Sequence, residues 1–230
     1  MTWVMEASVK HVVTNPWEPL SAAVLAGGKS SRMGSDKALL PITPGGPPML
    51  AIVLERLSTI ADDLMVIAND APHYELFGAR VVPDLRAGGG SLIGIHSALA
   101  HAWHEHCLVV ACDMPFLSPQ LLSRMAIEPR DYDVLVPLLP GESRQGGDGL
   151  VYQTLHAIYG KGNLAAIEER LDRQMRQVIA FFPDVRVRTL RHDEVARWDP
   201  KLHSFFNANT PGALELAGAM AESTERPFDR

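Results

Sequence analysis

The chain has 230 residues and a formal net charge of −6, with 47% hydrophobic and 21% charged residues. That length carries one sizeable core, and that composition is the one of an ordinary globular protein. Without a general basic field, nucleic acid is not expected as the main partner. No stretch is apolar enough for a membrane span and residues 1–19 lack a signal-peptide core, so a cytoplasmic protein without a membrane partner is expected. Cys107 and Cys112 share one apolar run and suit a reducing compartment better than a disulfide framework.

Residues 1–19 precede the first predicted strand as an extension of open role. The apolar run 22–25 then breaks into Gly27-Gly28 and a polar segment carrying Arg32, Gly34, Asp36 and Lys37. This pattern predicts a buried strand emptying into a glycine-rich loop. Glycines let the backbone turn tightly and approach a ligand, and successive free N–H groups form an anion-binding concavity. Arg32 and Lys37 bring two cations to the same anion. The spacing matches neither a P-loop nor the dinucleotide fingerprint. The bland alternative is a Gly/Ser turn joining strand to helix.

Residues 43–48 (TPGGPP) are a hinge of breakers. Leu50, Val53, Leu54, Leu57 and Ala61 fall at helical spacing. Residues 64–68 predict a short strand ending at Asn69-Asp70, residues 72–77 a short helix, and residues 80–83 a third strand ending at Asp84. A second glycine-rich loop follows at 86–90. Ser91 stands where it can cap a helix presenting Leu92, Ile95, Leu99 and Trp103. Residues 106–112 (HCLVVAC) predict a central parallel strand buried on both faces, stopping at Asp113. By parity Cys107 and Cys112 point to opposite faces of it. His101, His104 and His106 are expected to be solvated. Ser118 followed by Pro119 makes a helix start.

Such alternation implies a parallel sheet with helices on both sides, and ligands bind beyond the carboxyl ends of its strands. Gly27, Asn69, Asp84 and Asp113 all fall at predicted strand ends. Further on, residues 132–137 predict a fifth strand, 140–149 a polar loop, and 156–159 a small strand or helix start. A helix begins near Asn163, a shorter one spans Met175, Val178 and Ile179, and residues 185–190 form an edge strand. The compact loop FFNANTP, at 205–211, runs into a last helix with Thr210 as cap.

LAGGxSxRMGxDK, at 25–37, resembles the signature of nucleotidyltransferases that activate phosphorylated metabolites, most closely the molybdenum cofactor guanylyltransferases. The resemblance runs from Ala22 to about Met220 and takes in Asn69, Asp84, Asp113, LHAIY at 155–159 and the FFNANTP run. It implies an α/β, three-layer, Rossmann-like nucleotidyltransferase fold with a mainly parallel central sheet flanked by helices. Residues 20–222 then form a single domain, with a nucleotide-binding half at 20–127, an acceptor-binding half at 128–222 and a polar tail at 223–230. The implied reaction moves GMP from GTP to the terminal phosphate of molybdopterin cofactor and releases pyrophosphate, with Mg²⁺ as cofactor. Cofactor-insertion proteins or molybdoenzyme clients are further partners in this reading.

The resemblance also implies roles. Leu25, Ala26, Gly27, Gly28 and Lys37 surround the nucleotide, and Asn69 and Asp84 meet its guanosine. Asp113 holds the metal, with Arg32 and Lys37 beside it as catalytic cations. Asn207 and Asn209 either face the acceptor side or simply satisfy loop backbone. Two rivals remain: another nucleotidyltransferase of this fold, acting on a cytosine pterin or sugar 1-phosphate, and a non-catalytic cofactor-delivery protein. The chain departs from the family at Ser91, where proline is common, and in the long segment 142–152.

Overall fold

The computed structural model describes residues 18–26, 36–69, 71–142 and 148–225. Most of the first glycine loop, with Gly27, Gly28 and Arg32, lies outside the described residues, as does the extension before residue 18.

The strands are β1 (Ser21–Leu25), β2 (Asp63–Ile67), β3 (Arg80–Val82), β4 (His106–Ala111), β5 (Val134–Glu142), β6 (Asp148–Tyr152), β7 (His156–Gly160) and β8 (Val187–Arg191). They form one sheet in the order β3-β2-β1-β4-β7-β5-β6, with β8 beside β5. β1 pairs in parallel with β2 and β4, β2 with β3, and β5 with β8. β7 runs antiparallel to both β4 and β5, and β6 antiparallel to β5.

The helices are α1 (Met49–Leu57), α2 (Ser91–His101), α3 (Pro119–Ala126), α4 (Leu164–Asp172), α5 (His192–Ala196) and α6 (Pro211–Glu225). Strand side chains alternate between two cores. Leu108 and Val110 of β4 pack with Leu50 and Val53 of α1 and Leu121 and Leu122 of α3. Cys107 and Val109 join Ile95 and Leu99 of α2 and Ile167 of α4. The sheet is therefore the middle of three layers, the expected α/β architecture. Ala22, Ala23 and Val24 are fully buried, as an apolar run covered on both faces should be.

A third, small cluster joins Met49, Ala208 and Ala217 to Leu40, Ile42, Phe116 and Phe206. It seats α6 on the segment after Lys37. The contact is close: a Cβ at Gly218 would lie 2.8 Å from the Ile42 carbonyl oxygen. Gly218→Ala should therefore cost about 1–3 kcal/mol, the usual size for overpacking. Thermal unfolding should record this as a drop of several degrees in Tm; an unchanged Tm would refute the close seating of α6.

Several elements differ from expectation. The expected loop at 140–149 is strand at both ends: β5 runs through Pro137 and Pro140 to Glu142, and β6, from Asp148, pairs antiparallel with it, while residues 143–147 lie outside the described residues. β4 is parallel only to β1, since β7 on its other side is antiparallel. α2 starts from Gly90, with no side-chain cap from Ser91. It ends at His101, leaving Trp103 exposed beneath the Arg80 guanidinium, 4.6 Å from the ring centroid. His106 is buried against Tyr132, and burial, with Arg130 beside it, holds its imidazole below the usual range. His104 pairs with Asp62 at 2.7 Å. α4 does begin beside Asn163, as expected, but without a side-chain cap bond: Asn163 Nδ2 donates to the Asp133 and Gly160 carbonyls at 2.6 and 2.8 Å. The predicted short helix after α4 is a 3-10 turn at Val178–Asp184 that leaves Met175 out. Residues 223–225 of the expected tail belong to α6.

The amino ends of the first strands are tied through Asp63. Its carboxylate accepts from Ser21 Oγ (2.7 Å), the Trp103 N–H (2.8 Å) and Arg80 Nη2 (2.7 Å). Burial pushes this carboxyl up, but these donors outweigh it and hold it below the usual range. This end of the sheet is braced by ionic contacts. The opposite end carries the predicted site residues Asn69, Asp84 and Asp113.

Candidate active site

Lys37 opens a 3-10 turn, Lys37–Leu39, whose cap is Asp36: its carboxylate accepts from the Ala38 N–H at 3.1 Å. The same carboxylate accepts from the hydroxyl of buried Tyr74. Tyr74 was not singled out from the sequence. It stands between two short turns with no local pattern to announce it, and its ring belongs to the core. The exit of the first loop is thus pinned from outside the loop.

Leu25 and Ala26 end β1. The Leu25 carbonyl accepts from the Cys112 N–H at 3.3 Å, and the Ala26 N–H donates to the Ile67 carbonyl at 3.1 Å. The Ala68 N–H donates to the Val82 carbonyl at 3.0 Å. These bonds hold the carboxyl ends of β1 to β4 level. Asn69 and Asp84 meet on this rim: the Asp84 N–H donates to Asn69 Oδ1 at 2.9 Å, and Asn69 Nδ2 donates to Asp84 Oδ2 at 3.1 Å. Two bonds in a ring fix the Asp84 carboxylate as an acceptor.

Asp113 follows β4. Burial pushes its carboxyl above the usual carboxylate range, while the nearby Lys37 ammonium and its own backbone N–H pull the other way. Among the described residues, no side-chain donor bonds to this carboxylate. The Asp113 carbonyl accepts from the Ala208 N–H at 2.8 Å. Lys37 Nζ donates to the Asn209 carbonyl at 2.6 Å. The FFNANTP run therefore touches both residues, through backbone rather than asparagine amides. Asn207 Nδ2 donates to the Phe205 carbonyl at 3.0 Å, the loop-satisfying half of the expectation for that residue.

The run is itself well held. The Ser204 and His203 N–H groups donate to Asp199 at 2.8 and 3.1 Å. The Phe205 ring lies 4.9 Å from the ring of His156, which opens β7. His156 is fully buried, and burial pushes its imidazole down to about 4, against a small opposing pull from Asp199. It is neutral at physiological pH and serves as packing. Thr210 caps α6 as expected, accepting from the Ala213 N–H at 3.1 Å.

The chemistry of Asp113 is compatible with a cation ligand. A partly desolvated carboxylate without a side-chain donor is incomplete, and no cluster of three or more His, Cys, Asp or Glu surrounds it among the described residues. That donor set suits an ion taking one or two carboxylates and drawing its other ligands from phosphate and water. It does not suit a closed structural metal site.

A family model, the MobA-like NTP transferase domain, matches residues 22–194. A probable molybdenum cofactor guanylyltransferase of Pelotomaculum thermopropionicum is 40% identical over 204 residues, covering 89% of this chain and 94% of that protein. A molybdenum cofactor guanylyltransferase of Desulfosudis oleivorans is 32% identical, covering 88% and 96%. Among solved structures, molybdopterin-guanine dinucleotide biosynthesis protein A of Archaeoglobus fulgidus superposes with a TM-score of 0.72 at 27% identity, covering 88% of this chain and 99% of that one. The 4-diphosphocytidyl-2C-methyl-D-erythritol synthase of Anaerococcus prevotii, at 15% identity and a TM-score of 0.64, shares the fold. With its matched model and its relatives in agreement, the chain belongs to the MobA-like NTP transferases and is a nucleotidyltransferase.

Proposed function

We propose that this enzyme transfers GMP from GTP to the terminal phosphate of molybdopterin cofactor. The observation that carries the reading is one cluster on the carboxyl rim: Lys37 on the Asn209 carbonyl and Asp113 on the Ala208 N–H. The relatives named as guanylyltransferases support the guanine and molybdopterin parts. In this reading residues 20–127 hold the nucleotide and residues 128–222 the acceptor, and Mg²⁺ is the divalent ion. The cytosine and sugar-phosphate rivals have only fold-level support. Free Cys107 and Cys112 agree with a reducing, cytoplasmic location.

The chemistry asks little covalent help. An acceptor phosphate oxygen attacks the α-phosphorus of GTP, the bond from that phosphorus to the bridging oxygen breaks, and pyrophosphate leaves with the electron pair. The acceptor is already anionic, so no general base is required. Mg²⁺, when bound, offsets charge on the phosphate oxygens. Asp113 would hold it, and desolvation strengthens that attraction. Lys37 is aimed by the Asn209 carbonyl and would meet the charge gathering on the leaving pyrophosphate. Arg32 and the amides of Gly27 and Gly28 complete the cradle in this reading. The Asp84 carboxylate, fixed by Asn69, would accept from guanosine donors.

Nucleotide choice tests the proposal. With Mg²⁺ present, calorimetry should rank GTP ahead of CTP, UTP and ATP, and pyrophosphate release should require the pterin acceptor. CTP as the tightest ligand would move the chain to a cytidylyl activity. Tight binding without pyrophosphate release would leave the delivery protein.

A further inference from the structure

We propose that Arg176 is a positioning residue that holds the glycine-rich loop at 86–90 in the shape the nucleotide meets. The proposal rests on the nucleotide reading above. The loop joins Asp84 to α2, and α2 packs against the end of β1: a Cβ at Gly94 would lie 3.0 Å from Leu25 Cδ1. Both flanks of the loop thus reach residues assigned to the nucleotide.

The loop cannot hold itself. Gly88, Gly89 and Gly90 follow one another at φ +110°, +64° and +108°, conformations that glycine adopts freely and leaves as freely. The residue before the loop is anchored, since the Leu85 N–H donates to Ser97 Oγ at 2.9 Å. Its last residue is tied to α2, the Gly90 carbonyl accepting from the Ile93 and Gly94 N–H groups at 3.1 and 3.2 Å. Two further anchors come from the far side of the chain. Arg86 pairs with Asp172 at 2.5 Å, and Arg176 Nη1 donates to the Gly89 carbonyl at 3.0 Å. The guanidinium lies so close to the loop that a Cβ at Gly88 would sit 2.7 Å from both its terminal nitrogens. Between loop and α4 is a cavity of about 310 Å³ lined by Arg86, Ala87, Ile93, Leu171 and Arg176.

The end of α4 is shaped to deliver this arginine. Gln174 has φ +58°, and the Met175 N–H donates to the Arg170 carbonyl at 2.9 Å. That helix-ending turn ordinarily takes glycine, and a side chain there carries a conformational cost. The turn is kept without glycine, and Arg176 is the second residue past it.

The test compares wild type with Arg176→Ala and Arg176→Lys in GMP-transfer kinetics, in hydrogen exchange of ligand-free protein and in thermal unfolding. For Arg176→Ala the KM for GTP should rise about threefold to tenfold with kcat within about twofold, a loss of ground-state and transition-state binding together. Exchange over 86–90 should quicken while Tm stays near wild type. Lysine should restore part of the KM, donating to Gly89 without covering Gly88. If wild type uses GTP and both variants keep its KM and its exchange, the clasp does not exist. A raised acceptor KM at unchanged GTP KM would replace it with a direct acceptor contact. If wild type does not use GTP, the nucleotide reading has failed, and the exchange data alone still decide whether Arg176 holds the loop.

Discussion

Asp113→Ala should lose turnover by about a thousandfold or more, the loss of several kcal/mol of metal-borne charge stabilisation. The fold should survive, because the residue sits on the rim, outside both main cores. Stability makes the test sharper. Burial raises the Asp113 carboxyl in the folded protein, so the folded state binds its proton more tightly than the unfolded chain does. The stability from that proton is fully present below the unfolded value and is lost as pH rises through the folded one. At neutral pH the ionised carboxylate is therefore a burden on the metal-free, nucleotide-free protein. Asp113→Asn should be inactive and yet unfold at a Tm equal to or above wild type under those conditions. An active Asp113→Ala enzyme would make this residue an ordinary turn aspartate.

Lys37→Ala should cost rate and affinity together. A charge-assisted contact to phosphate is worth roughly 1.5–3 kcal/mol, so kcat/KM should fall about tenfold to two-hundredfold. Lys37→Arg should recover only part, because a planar guanidinium cannot occupy the place of a compact ammonium donating to one carbonyl. GMP transfer measured beside GTP affinity separates the outcomes. Wild-type kinetics in Lys37→Ala would falsify the phosphate role and reduce the 2.6 Å contact with Asn209 to loop packing.

The first half of this molecule was legible because its longer strands are apolar runs that stop at a polar or glycine residue. Leu64 to Ala68 ending at Asn69, and the β4 run ending at Asp113, could be placed on one rim before any coordinates. The hairpin β5–β6 could not, and its prolines are the reason. Pro137 falls in the gap between the β7 partners of Val134 and Leu135 and the β6 partners that begin at Leu138. Pro140 lies past Leu138, where pairing with β8 stops, so one side of the strand has no ladder there. Proline at such places removes no needed donor, yet in sequence it reads as a breaker. His106 was misjudged because its burial is set by Tyr132, which only tertiary structure brings near. In the site, Asp113 and Lys37 could be read directly from their motifs. The backbone partners Ala208 and Asn209 could be read only as a neighbouring loop, since a main-chain N–H or carbonyl has no sequence signature. Arg176 left none either.

Lys37 and Asn209 are 172 residues apart in the chain, and this separation has a bearing on synthesis. Domains emerge amino end first at about 5–20 residues per second. Lys37, Asp113 and the strands between them leave the ribosome well before Ala208 and Asn209 exist. During those seconds the nascent protein has Lys37 and Asp113 but neither of the backbone groups that bond to them. A polypeptide stalled before residue 208 lacks the backbone partners of Lys37 and Asp113, and on the proposed reading it should fail to transfer GMP.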